Sequence, residues 1–199
     1  MKFESHSPWI VRSIKQRDLL NTWLRARTKR NGVPHLKDYE PGRFDEEKPD
    51  LAYLTIASES PPRVVIDTAG TRITSAFGKS AEGKFLDEYV DANLISTTMP
   101  LYYECINRQL PVYTVSSVTD VHQIIVAHER LILPFAETNR VDSLIVSMKP
   151  ISEEGGFEIK DLMRADSRVP IFQICAVIDK DLFHTVSRKN VSGDEIESS

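Results

Sequence analysis

Cysteine is nearly absent from this chain: Cys105 and Cys175 are the only two in 199 residues. Two residues so far apart do not indicate a disulfide framework, and no CxxC or HxxxH spacing suggests a metal module. Both read as reduced, buried, small hydrophobes. Long apolar runs are also missing. Nothing approaches the roughly 20 residues that span a bilayer, and the opening MKFESHSPW lacks the apolar core of a secretion signal. A cytoplasmic protein with no membrane partner is expected. Strong charge of one sign is absent too, since the net charge is −4, so nothing general favours nucleic acid. Lys15, Arg17, Arg25, Arg27, Lys29 and Arg30 do crowd one segment against a single Asp18. No aromatic interleaving or DNA-reading motif accompanies them, and a solvated helix face is the expected reading over a phosphate-binding patch.

What is present is an ordinary core-forming composition, 41% hydrophobic and 27% charged. The apolar segments concentrate between Leu51 and Ile178. The expected organisation is a leading helix and proline-rich connector over 1–50, a core over 51–150, an extension over 151–186 packing on the core or a partner, and a disordered tail over 187–199. From Val11 to about Arg30, Ile14, Leu19, Leu20, Trp23 and Leu24 form an apolar stripe at helical spacing, and Asn31-Gly32 with Pro34 stops it. Leu51 to Ser58 and Arg63 to Thr68 read as a hairpin. Short helical pieces follow, at Thr71 to Phe77 and around Phe85, Leu86 and Tyr89. Asp91 is placed to cap a longer helix, Ala92 to Gln109, which Pro100 should bend or break. Val112 to Val121 is a third strand.

The most apolar stretch is Ile124 to Met148, two strands joined by Ala136 to Arg140 with no glycine, which suits a five-residue loop. Ile171 to Ile178 is a further strand-like run, too apolar to leave in water.

Two strands, short helices, one longer helix and three strands is the order of a PAS domain. Trp23 before Val33-Pro34 and Asp38-Tyr39-Glu40-Pro41, then Ala69-Gly70-Thr71, then Phe77-Gly78 through Gly83-Lys84, then Glu129 to Phe135 and Val141 to Ile145 resemble a bacterial family of single-domain PAS-like proteins. The resemblance spans about Leu19 to Met148. Asp67 stands where many members carry an Arg. The fold the resemblance implies is α+β: a five-stranded antiparallel sheet with helices packed on one face, plus the leading amphipathic helix. The function it implies is small-ligand sensing with output to a partner protein or, alternatively, a dimerisation or protein-interaction module with a filled core and no ligand.

No cofactor is expected, because the longer helix has no His for haem and Cys105 lies in Glu-Cys-Ile, not in a flavin-attachment motif. Nor is an enzyme: His6, His35, His122, His128 and His184 are dispersed, without a nucleophile elbow. Among His128, Glu129 and Arg130, alternation puts Glu129 inside and the other two on the outer face. The candidate pocket is lined by Thr98, Tyr102, Cys105 and Ile106 of the longer helix with Ile125, Ala127, Glu129, Leu131 and Leu133 of the sheet. The same residues could equally fill a core. Trp9, Leu20, Trp23, Ile171 and Phe172 are the candidate interface with a second copy or a signalling partner.

Overall fold

A computed structural model describes residues 1–42, 44–57, 61–152, 155–165 and 170–180; the expected disordered tail lies outside them. The strands are β1 (Glu4–His6), β2 (Leu51–Ile56), β3 (Val64–Ala69), β4 (Val112–Thr119), β5 (Ile125–Phe135), β6 (Ser143–Ile151) and β7 (Ile171–Ile178). The helices are α1 (Ile14–Arg30), α2 (Phe44–Glu47), α3 (Thr71–Phe77), α4 (Leu86–Tyr89), α5 (Ala92–Arg108) and α6 (Leu162–Ala165).

The expected five-stranded antiparallel sheet is overturned. Among the described residues the sheet has seven strands, in the order β1-β7-β4-β5-β6-β2-β3. It is mixed, because β1 runs parallel to β7 while the other pairings are antiparallel. The physical reason lies in the apolar run Ile171 to Ile178. It pairs along the edge that β4 would otherwise leave open, from Val112↔Val177 to Ser117↔Ile171, and β1 then covers β7.

Helices cover both faces, not one. One apolar cluster gathers Leu19, Leu20 and Trp23 of α1 with Tyr113, Leu131, Leu133, Phe135 and Ile145. The other packs Phe77 of α3, Leu86 and Tyr89 of α4, Leu101, Tyr102 and Cys105 of α5 and Leu162 of α6 against Leu54, Ile66, Ile132 and Val146.

Helix α1 starts where the Ser13 hydroxyl accepts from the Gln16 amide at 3.4 Å and stops at Asn31, left-handed at φ 55°. Arg27, Lys29 and Arg30 sit in its last turn, where the helix dipole favours cations. Its buried face differs from the expected stripe in one place: Ile14 is 74% exposed, and Gln16 is inside instead. The Gln16 amide group donates to the Ser147 carbonyl at 3.1 Å, which makes a polar side chain tolerable there. The Trp23 indole donates to the Pro134 carbonyl at 2.7 Å. The Tyr39 hydroxyl donates to the Leu19 carbonyl at 3.0 Å and sets its ring edge-on to Phe135, which ties the connector to this layer.

Helix α5 runs unbroken through Pro100. The carbonyl that Pro100 cannot serve belongs to Ser96, an exposed residue that water can reach. Gly70 is required for a different reason. Its φ of −62° suits any residue, but a Cβ there would overlap the carbonyl oxygens of Lys48 and Pro49. Gly70→Ala should therefore destabilise the fold by about 1–3 kcal/mol through overpacking. Urea unfolding checks this, and an unchanged midpoint would mean that the backbone at 48–50 moves aside.

Candidate functional site

Between α5 and the sheet lies a cavity of about 40 Å³. Its walls are apolar: Leu54 and Ile66 from the sheet, Phe77 from α3, Leu94 from α5, Met148 from β6 and Phe172 from β7. Its polar lining includes Thr98, Tyr102, Ser116 and Arg130. Thr98 and Tyr102 project together because residues four apart share a helix face. Ser116 and Arg130 come from the neighbouring strands β4 and β5, whose register sets Thr114 against Arg130 and Ser116 against His128.

Arg130 is the unusual member. It is 6% exposed, and its Nε has no hydrogen-bond partner. The ion pairs among the described residues all lie elsewhere. A buried cation without a counter-charge is costly, and a guanidinium cannot escape the cost by losing its proton.

The groups around it are neutral. Burial pushes the Tyr102 phenol up, against a smaller opposing pull from Arg130. Burial, reinforced by Arg130, pushes His128 from 6.5 down to about 3. His128 is thus neutral in the fold and protonates near 6.5 when unfolded. Its contribution to stability is complete above that value and is lost as pH falls toward 3. His128→Asn should flatten the fall in stability between about pH 6 and pH 5, above the carboxylate range. Urea titrations across that window would show equal slopes in both proteins if His128 had no part in it.

The expected pocket residues divide by face. Thr98 and Tyr102 line the cavity. Cys105 and Ile106 belong to the same layer without lining it; the Cys105 thiol contacts the Ile132 carbonyl at 3.8 Å, and burial raises its pKa. Leu131 and Leu133 lie in the opposite cluster beneath α1, with Ala127 packed against it. Glu129 also faces α1, accepting from the Ser13 amide at 3.2 Å. Ile125 is 56% exposed. The expected floor under the longer helix is corrected: it is the even-numbered set, Val126, His128, Arg130 and Ile132. His128 and Arg130 are inside, not on an outer face, because helices bury both sides of β5. No period-2 signal separates two buried faces. The charged pair Glu129-Arg130 inside an otherwise apolar strand-length run was the available signal.

The expected interface is also redistributed. Leu20 and Trp23 are fully buried in the α1 layer, and Phe172 lines the cavity, so none offers itself to a partner. Trp9 and Ile171 remain 68% and 76% exposed. The basic segment of α1 is partly engaged: Lys15 pairs with Glu47 at 3.0 Å, and Arg17 donates to the Val11 carbonyl at 2.8 Å.

A second group of buried charges lies at the end of β6. Lys149 bridges Glu47, at 2.6 Å, and Asp50. Arg72 reaches Asp50 at 2.8 Å from outside. Burial raises the Glu47 carboxyl, but hydrogen bonds from Lys149 and Lys15 outweigh it and hold the pKa below the usual range. Lys15 and Lys149 pair with the Glu47 carboxylate and Lys149 and Arg72 with one oxygen of Asp50, while Asp50 Oδ1 is buried without a hydrogen-bond partner. Among the described residues no group of His, Cys, Asp and Glu is arranged to hold a metal, and no helix is long and apolar enough to cross a membrane.

No family model, curated protein or solved structure matches the chain.

Proposed function

We propose that this protein is a non-catalytic, PAS-like regulatory domain that binds a small ligand between α5 and the sheet and passes its state to a partner protein. The observation that carries the reading is Arg130, a buried cation on an apolar cavity with no ion pair among the described residues and an Nε without a hydrogen-bond partner. A filled core would not retain it, since an apolar side chain of similar volume would be cheaper to bury. A ligand would brace α5 against β4 and β5, a route by which occupancy can reach the outer surface.

An enzymatic reading has less support. Ser116 and His128 are register partners, but no side-chain hydrogen bond joins them, and a His held near 3 is a poor general base at neutral pH.

The test is to overexpress the chain, extract it under native conditions and look by native mass spectrometry for a copurified small molecule. A bound molecule released on unfolding is expected. A ligand-free protein whose thermal midpoint no small molecule shifts would overturn the proposal.

One feature favours interaction as a second role. The registers Ser117↔Ile171, Ser117↔Ala127 and Ala127↔Ile151 place Ile151 and Ile171 in one cross-strand row, with Ile125 beside Ala127 on the same face. Ile125, Ile151 and Ile171 are all exposed. If this row mediates self-association, light scattering of the full chain should show a dimer that Ile171→Glu dissociates. A monomer in both cases would remove this role.

A further inference from the structure

Three properties of the cavity restrict what can occupy it. The first is charge. Among the described residues Arg130 is the sole charged member of the lining, and the lining's Tyr102, Thr98 and Ser116 are neutral. One anionic charge compensates it, whereas a dianion would bring an uncompensated charge into a low-dielectric site. The second is shape. A guanidinium presents parallel N–H donors in a plane, which matches the two oxygens of a carboxylate. The third is the rest of the wall. Its described residues are apolar, as with Leu54, Ile66, Phe77, Leu94 and Met148, apart from Tyr89 and Thr97, whose hydroxyls already donate to the Lys79 and Leu94 carbonyls, so the remainder of the ligand is hydrocarbon. A volume of about 40 Å³ admits only a few non-hydrogen atoms, although the flexible side chains of Met148 and Met163 can give somewhat.

We propose that the cavity takes a short-chain monocarboxylate, its carboxylate on the Arg130 guanidinium and its alkyl tail among Leu54, Ile66 and Met148. This rests on the ligand-binding reading above and adds the chemical class. Thr98, Tyr102 and Ser116 supply hydroxyls to the lining, and Tyr102 lies close enough to Arg130 to feel its charge. Each added methylene should strengthen binding about fourfold until the apolar end is full, after which affinity falls.

The experiment is calorimetric titration of the full chain with acetate, propionate and butyrate, alongside propionamide and propan-1-ol as neutral probes and malonate as a dianion. Propionate is expected to bind at least about tenfold more tightly than propionamide or malonate. Arg130→Met should abolish the preference for propionate over propionamide and raise the ligand-free thermal midpoint, because the unpaired charge is gone. Propionamide or propan-1-ol binding as well as propionate would overturn the carboxylate assignment and leave the ligand-binding reading standing. So would chloride competing as effectively as propionate. If neither the acids nor the neutral probes bind, the monocarboxylate assignment fails, and the ligand-binding reading fails with it only if the native protein also carries no copurified molecule. The comparison of propionate with propionamide uses the native chain, so it decides the matter even if the variant does not fold.

Discussion

Replacing Lys149 with methionine should cost about 3–5 kcal/mol of folding stability, the usual penalty for removing one partner of a buried ionic group. Glu47 and Asp50 are 2% and 1% exposed, and Lys149 is the cation that touches both. Lys15 and Arg72 remain, but they are 45% and 57% exposed and attract through a solvated, screened path. The pH dependence gives the sharper test. In the native protein the lowered pKa of Glu47 contributes stability present above its ordinary value of 4.5 and lost as pH falls through the folded value. Without Lys149, burial dominates and raises that carboxyl in the fold. The sign then reverses, and acid should favour the folded variant as Glu47 takes up a proton. Urea unfolding at about pH 7 and pH 5 should therefore show a smaller difference between the two proteins at the lower pH. An equal difference at both would mean that Lys149 acts through packing of its alkyl stem. Adding Glu47→Gln and Asp50→Asn to Lys149→Met should recover much of the loss.

Trp23→Ala is the second large effect, expected at about 3–5 kcal/mol. The side chain is fully buried between α1 and the sheet, and its removal leaves a cavity as well as a Pro134 carbonyl without its 2.7 Å donor. Trp23→Phe keeps most of the volume and loses the hydrogen bond, so about 1–2 kcal/mol should separate it from the native protein. Denaturant unfolding orders the three proteins. Fluorescence supplies an internal check: the other tryptophan, Trp9, is 68% exposed, so Trp23→Phe should leave only the red-shifted emission of a solvated indole. A loss below about 1 kcal/mol for Trp23→Ala would show that α1 rests loosely on the sheet.

Much of the element content is readable from local pattern, because helix stops and strand composition are local properties. Asn31 at the end of α1 and the β-branched run in β4 are examples. Pairing is not local. Ile171 to Ile178 reads as a strand from its composition, yet nothing in it names β4 as its neighbour, and the three residues of β1 are too few to announce themselves. Pro100 misleads for a related reason: its cost depends on whether the freed carbonyl can find water, which is a tertiary fact.

The site was obscured by strand β5 itself. Its odd positions, with Leu131, Leu133 and Phe135, look more like a buried face than its even positions, with His128 and Arg130. Choosing between them by hydrophobicity puts the cavity on the wrong side, since a shift of one residue exchanges the whole set. Each face carries one charge, Glu129 toward α1 and Arg130 toward the cavity, and only the three-dimensional structure reveals that Arg130 is buried with no ion pair among the described residues.

The outermost strand pair has a consequence in time. Ser5 bonds to Asp179 across 174 positions, and Trp23 reaches Pro134 across 111. The first helix therefore has no apolar surface to settle on until most of the chain is available, and the β1 edge closes last of all. Loops of that span make slow searches, so refolding should fall in the slow range of mixed folds, with α1 exposed while β5 and β7 find their places. During that interval the buried tryptophan is the side chain most in need of shielding.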